Sequence, residues 1–199
     1  NVIRGGCGTL WVSGLVADDS AARVQNNVID ASTCVDAITG TVDFSGVWAA
    51  LGNGANELDL HSNAIYGGGA PLSGCTSTGL ALEVGSTLPT GPLGIVRNNI
   101  IHGGQCGTAY VVWERAAEAD PRVLENNDLV LANGLTALYL DEDLVLRLSA
   151  SAVNGLTDIT AADNIDGPPA TTSLAGGWTV LSAGSPCRNA GTLEGVPGW

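Results

Sequence analysis

Two sets of side chains in this 199-residue chain have types and positions suited to chemistry. The first is acidic: Asp18-Asp19, Glu114, Glu118, Asp120 and the run Asp141-Glu142-Asp143 all stand at the ends of short β-prone segments. If those segments stack, their carboxylates form a stripe of oxygen ligands of the kind Ca²⁺ prefers, with Asp141 and Asp143 as the candidate metal ligands. A carboxylate pair of this kind also suits the acid and base of glycoside hydrolysis. The second set is aromatic. Trp11 and Tyr110 hold equivalent places when counted from Cys7 and Cys106, and a flat apolar ring suits the C–H face of a pyranose. Pointing outward, they make a sugar-stacking platform with Glu114 and Asp141 as polar neighbours; turned inward, they are core. Trp113 and Tyr139 carry the same alternatives, and Trp48 reads as the anchor of a long insertion, Phe44–Leu60.

Other chemistry is excluded by what the chain lacks. It has no Lys, so a lysine base or Schiff base is ruled out, and all seven basic residues are Arg. No Ser-His-Asp order, P-loop, dinucleotide fingerprint or H-E-x-x-H motif occurs. His61 aligns with Gln25, Arg97 and Glu125, and His102 with Asp30, Tyr66 and Val130. Columns of such mixed polarity read as exposed sites, so both histidines are expected at the surface and no catalytic residue is assigned. Arg23, Arg97 and Arg122 are expected to pair with loop acids. A net charge of −13 argues against nucleic acid and anionic membrane surfaces, and no apolar run is long enough to span a bilayer.

The elements that must position these residues come from an internal repeat. Val24-Gln25-Asn26-Asn27-Val28-Ile29 recurs as Leu60-His61-Ser62-Asn63-Ala64-Ile65, as Val96-Arg97-Asn98-Asn99-Ile100-Ile101 and as Leu124-Glu125-Asn126-Asn127-Asp128-Leu129. A truncated copy opens the chain at Asn1, and a degenerate one reads Asp163-Asn164-Ile165, giving anchors at 1, 27, 63, 99, 127 and 163. Gly pairs and short β-prone runs follow the anchors, so each repeat holds about three brief strands separated by Gly, Asn and Pro turns. That is the pattern of a parallel β-solenoid. Its stacked strands lie about 4.8 Å apart, so equivalent residues form columns and the inner columns must be aliphatic. Ile3, Ile29, Ile65, Ile101, Leu129 and Ile165 meet that demand, as do Val24, Leu60, Val96 and Leu124. Asn1, Asn27, Asn63, Asn99 and Asn127 form a structural column at one corner. Asn tolerates a left-handed backbone, and stacked amides can hydrogen-bond along the column. A leucine-rich repeat is the rival, but steps of 36 residues exceed its 20–29.

The N-N-x-I-x-x-G spacing resembles that of secreted bacterial right-handed parallel β-helix proteins of the pectate-lyase-like superfamily. The ending Leu181-Ser182-Ala183-Gly184-Ser185-Pro186-Cys187-Arg188-Asn189-Ala190-Gly191-Thr192 is similar to one common among their exported members. The resemblance implies an all-β, right-handed parallel β-helix. The anchors allow about five to six coils over residues 1–167, with residues 168–199 as a C-terminal cap or tail. It fixes fold and not chemistry, since the family spans lyases, hydrolases, tailspikes and adhesins.

Five Cys without a C-x-x-C pair point away from zinc and toward an oxidising, extracytoplasmic setting. Spacing from the anchors pairs Cys7 with Cys34 and Cys75 with Cys106, each joining adjacent coils; a ladder of free thiols is the alternative. Cys187 is left for the cap or for a partner elsewhere. The chain lacks Met and Asn1 falls on an anchor, so the first coil reads as incomplete, with further sequence or another protein expected over that end. The functional expectation is a secreted or cell-surface β-helix that binds or scaffolds, holding neutral glycan on a strand face, without catalysis and with no cofactor unless Ca²⁺. A carbohydrate-active lyase or hydrolase using loop carboxylates is the alternative; a purely structural repeat of a larger surface protein is the third reading.

Overall fold

The computed structural model describes residues 1–6, 8, 10–18, 21–31, 41–51, 58–69, 74–85, 94–130, 136–169, 171–173, 179–181 and 183–185. Apart from one four-residue helix, its regular elements are strands, and three sheets are dominated by parallel pairing. Sheet A stacks β1 (Val2–Arg4), β4 (Val28–Asp30), β7 (Ala64–Tyr66), β10 (Ile100–His102) and β13 (Asp128–Val130). Sheet B stacks β2 (Trp11–Asp18), β5 (Val42–Leu51), β8 (Cys75–Val84), β11 (Thr108–Glu114) and β14 (Ala137–Leu140), closed by the antiparallel β15 (Leu146–Arg147). Sheet C stacks β3 (Ala22–Gln25), β6 (Leu58–His61), β9 (Gly94–Arg97), β12 (Val123–Glu125) and β16 (Thr160–Ala162). The chain visits A, B and C in turn and then repeats, which makes an all-β parallel solenoid. A separate hairpin, β17 (Thr171–Ser173) with β18 (Thr179–Leu181), lies near the C-terminus.

Register follows the aliphatic columns. Ile3, Ile29, Ile65, Ile101 and Leu129 pair successively in sheet A, and Val24, Leu60, Val96 and Leu124 in sheet C. Both columns feed one core with Val47, Leu80, Val112 and Tyr139 of sheet B. A smaller core joins Val12, Ala31, Val42, Phe44, Cys75 and Cys106 where sheet A gives way to sheet B.

The corner from sheet C to sheet A carries the Asn ladder. Asn63 donates its backbone N–H to Asn99 Oδ1 at 2.9 Å, its Nδ2 to the same oxygen at 3.1 Å and its Nδ2 to the Val24 carbonyl at 2.8 Å. Asn27 and Asn99 bond in the same way to the next anchor along the chain. Each amide thus satisfies backbone groups that the corner takes out of the sheets.

Two expectations about this column need correction. The left-handed residue is not the anchor but the one before it: Asn26, Ser62, Asn98, Asn126 and Asp163 have φ between 54° and 57°. The last anchor is Asn164, 37 residues after Asn127, because Asp163 takes the left-handed place. Ile165 therefore sits one position early and bridges Asp128, outside the aliphatic column. Beyond it the ladder stops at Asn154, the C-cap of α1 (Ala150–Val153), whose Oδ1 accepts from Asn164 N–H and Nδ2.

Cys75 and Cys106 form a disulfide between adjacent coils, with Cα atoms 5.3 Å apart. Cys7, Cys34 and Cys187 lie outside the described residues.

Candidate functional site

Sheet B is folded along its length. Its strands alternate normally up to Gly14, Gly46 and Gly79, where paired register is interrupted before resuming at Leu15, Val47 and Leu80. At Gly46 the backbone runs so close to the core that an added Cβ would lie 2.6 Å from Ile65 Cγ2. Phe44 and Val47 are both buried, so one side chain of the usual alternation is missing and the outer faces of the two arms turn toward each other.

Ion pairing shows how sharply. Arg115 follows β11 directly and is level with Glu83 of β8, which pairs with Ala50 of β5. Asp43 is seven residues before Ala50, roughly 23 Å away in a flat strand. Yet Arg115 Nη2 lies 3.4 Å from Asp43 Oδ2, so the arms enclose a groove on the outside of the solenoid.

The outward residues of this groove are aromatic and polar. Trp11 is 44% exposed beside buried Val12, and its ring meets Trp48 edge-on at 5.1 Å across the bend. Tyr110 and Trp113, each between buried neighbours, meet across the same bend at 5.2 Å. Trp48 Nε1 donates to Glu83 Oε2 at 3.0 Å, and the same oxygen lies 3.6 Å from Arg115 Nη1. The Arg115 guanidinium stands 4.1 Å over the Trp113 ring. Ser45, Thr78, Ala50 and Ala81 form the covered floor between the rings.

Sequence spacing places several of these residues differently. Trp11 is level with Asp43, Thr76 and Thr108, whereas Tyr110 is level with Thr78, Ser45 and Ser13, so the two are not in one column. Counting from the cysteines misses this because the segments after them differ in length. Trp48 belongs to strand β5 and not to an insertion. Aligning the strands on Gly14, Gly46 and Gly79 finds the register: Val16, Trp48 and Ala81 all follow by two. Asp43, Glu83 and Arg115 are not singled out by spacing at all. Tyr139 is core, level with Val112, Leu80 and Val47.

The carboxylates at the other end of sheet B gather around one buried member. Glu114 is 2% exposed and lies level with Leu82 and Ala49 in an inward column. Its Oε1 accepts a hydrogen bond from the Tyr139 hydroxyl. Carboxylate oxygens of Glu114, Asp120 and Glu142 come within 4.8 Å of one another. Burial, reinforced by Asp120 and Glu142 and opposed by the Tyr139 hydrogen bond, pushes Glu114 up to about 9. Burial likewise raises Asp120, while a hydrogen bond with Asp141 and then burial push Glu142 up to about 7. These carboxyls therefore hold protons where ordinary ones have lost them. Of the residues expected to act together, Asp141 is buried and paired with Arg147 at 3.5 Å, and Asp143 is exposed. Glu114 and Asp141 do not share a face with Trp11 and Tyr110, since Glu114 points inward.

Only one of the two histidines departs clearly from the surface position expected of it. His61 is 2% exposed against Asp59, which also holds Arg23 at 2.9 Å. His102 is half-buried, accepts the Gly104 N–H at Nδ1 and has its pKa lowered by burial. Long outer side chains, such as Arg97 paired with Glu125 at 3.0 Å, cover the row that holds His61. Arg23 and Arg97 thus pair with acids on neighbouring strands and not on loops.

Among the described residues, no helix is long and apolar enough to cross a membrane. Comparison of the chain with protein-family models, curated proteins and solved structures finds no match to any of them.

Proposed function

We propose that this protein is an extracellular or cell-surface right-handed parallel β-helix of about five to six coils whose sheet B groove binds neutral glycan. The observation that carries the reading is the placement of Trp11, Trp48, Tyr110 and Trp113 on one outer face, in two pairs across the bend. Rings at successive levels of a solenoid suit a chain of sugars, each stacked on an apolar face and hydrogen-bonded at its edge. Asp43 and Glu83 supply acceptors for such edge contacts. A net charge of −13 disfavours polyanions such as pectate or heparin. The Cys75–Cys106 disulfide supports an oxidising compartment, and similarity to the pectate-lyase-like superfamily supports handedness and export.

Calorimetry against neutral oligosaccharides tests the reading: wild type binds, and Trp48→Ala and Trp113→Ala each weaken binding about tenfold. Absence of binding to every neutral polymer on a glycan array would sink it. A second reading is glycoside hydrolysis, favoured by the convergence of Asp43 and Glu83 on Arg115 in the groove. Reducing-sugar release from polysaccharides, with and without Ca²⁺, distinguishes an enzyme from a binding module.

A further inference from the structure

We propose that Arg115 is a strap across the sheet B groove, covering the face of Trp113 that a sugar would use, so that ligand entry requires the strap to release. The inference rests on the groove being the ligand site, and adds how access to it is controlled.

The geometry has three parts. The guanidinium occupies the position over Trp113 that a stacked pyranose would need, 4.1 Å from the ring centroid. It is tethered on both sides: to Glu83 beside it on the same arm and to Asp43 on the opposite arm. And the tethers are loose. At 3.4 and 3.6 Å they exceed the 2.7–2.9 Å of a tight charge-assisted hydrogen bond, while Arg115 Nε is buried with no hydrogen-bond partner. The guanidinium fork is able to hold a carboxylate bidentately, and Arg115 does not use it so. Arg115 is held by charge and by the ring, and both attractions weaken without breaking the fold.

Release also exposes polar groups in the right place. When the strap swings out, Glu83 Oε2 keeps its bond from Trp48 Nε1 and can accept a second donor in place of the guanidinium, and Asp43 becomes an open acceptor at the opposite wall. Sugar hydroxyls can then replace the guanidinium as donors to both. The exchange predicts an inverted salt response. Ion pairs are screened by salt whereas stacking is not, so neutral-glycan affinity rises with ionic strength.

The test has two readouts. Hydroxyl-radical footprinting with mass spectrometry measures exposure of Trp113 alone, and calorimetry with cellohexaose and mannohexaose measures binding. Arg115→Ala is expected to raise Trp113 modification about threefold and affinity about fivefold, the scale of one exposed ion pair plus one cation–π contact. Asp43→Asn keeps the arginine, weakens the opposite tether and raises Trp113 modification in the same way, which guards against a folding defect in the first variant; its affinity is not used, because Asp43 is also a sugar acceptor. In the wild type, raising NaCl from about 0.01 M to about 1 M shrinks the screening length from roughly 30 Å to 3 Å and opens Trp113 likewise. Unchanged Trp113 modification in both variants and across salt overturns the strap. Reduced affinity in Arg115→Ala overturns it too, by making Arg115 a sugar contact. If Trp113 opens as expected but neither oligosaccharide binds any form, the strap stands and the glycan reading falls.

Discussion

The corner between sheets C and A and the bend within sheet B turn the same chain through the same solenoid with different atoms. At the first, each coil spends one left-handed residue and one buried amide, and the amide bonds to its copy in the next coil. Neighbouring coils must therefore carry the same side chain. At the second, the turn is made by backbone lying against the isoleucine column, at Gly14, Gly46 and Gly79. The outer side chains around it need not repeat from coil to coil, and they vary: Trp11, Asp43, Thr76 and Thr108 share one level. A corner built on side-chain identity is committed to structure. One built on backbone leaves its outer face free to acquire a function.

Breaking the first corner should have the largest effect. Asn99→Ala removes an amide that donates to the Leu60, Arg97 and Asn127 oxygens and accepts from Asn63. Groups on three successive coils lose partners, for an expected loss of about 3–5 kcal/mol in chemical denaturation. A loss under about 1 kcal/mol would show that the ladder is ornamental.

Gly46→Ala attacks the second corner. Its Cβ would meet Ile65 Cγ2 at 2.6 Å and the carbonyl oxygens of Gly79 and Tyr66 at 2.7 and 2.8 Å. Backbone cannot yield as a side chain can, so about 1–3 kcal/mol of destabilisation is expected, with the groove distorted and Trp48 fluorescence shifted.

Glu114 sharpens the contrast inside the core. Its carboxyl titrates near 4.5 when unfolded and is held up to about 9 when folded, chiefly by burial. Across that window the folded state binds the extra proton, so stability is greatest below about pH 4.5 and declines as pH rises toward 9. Glu114→Gln, which stays neutral, should flatten this decline in melting temperature measured from pH 5 to 9. Each unit of separation removed is worth roughly 1.4 kcal/mol at the alkaline end. An unchanged pH profile would mean that the buried carboxyl is not what senses pH.

The smallest effect tests the left-handed positions. Ser62 adopts φ of 56°, a conformation that glycine reaches without the Cβ clash. Ser62→Gly is expected to stabilise by about 0.5–1 kcal/mol, read as a small rise in denaturation midpoint.

The same contrast explains which features are legible in the sequence. The ladder column is legible because Asn27, Asn63, Asn99 and Asn127 repeat one residue type for one purpose. Its last step is ambiguous because Asp163 and Asn164 are both competent at that corner, and only backbone conformation tells them apart. The Cys75–Cys106 pairing is legible for the same reason as the ladder, since both residues occupy one corner of adjacent coils. The groove is only half legible. Trp11 and Tyr110 announce themselves by type, but the rings that meet them, Trp48 and Trp113, lie beyond a phase slip that β11 does not mark with a glycine, since Val111 is level with Gly79. Arg115 gives no local signal: its partner Asp43 is 72 residues away and meets it only because the sheet folds. Glu114 misleads because a carboxylate at a strand end reads as solvated, whereas Tyr139 draws it into the core.

Asn154 gives the ladder a terminator. It belongs to helix α1 and to no repeat, yet its amide answers Asn164 as another coil would. The rung below it needs only an Oδ1 acceptor in the right place and does not register what supplies it. The interior coils are then interchangeable modules behind a fixed stop. Excision of 36 residues between Asn27 and Asn63, or duplication of the same unit, preserves the amide-to-amide junction of the ladder while changing which outer side chains, Asp43 and Trp48 among them, line the groove. Length along the axis becomes a quantity that gene rearrangement can adjust one coil at a time, lengthening or shortening the groove without redesigning the cap.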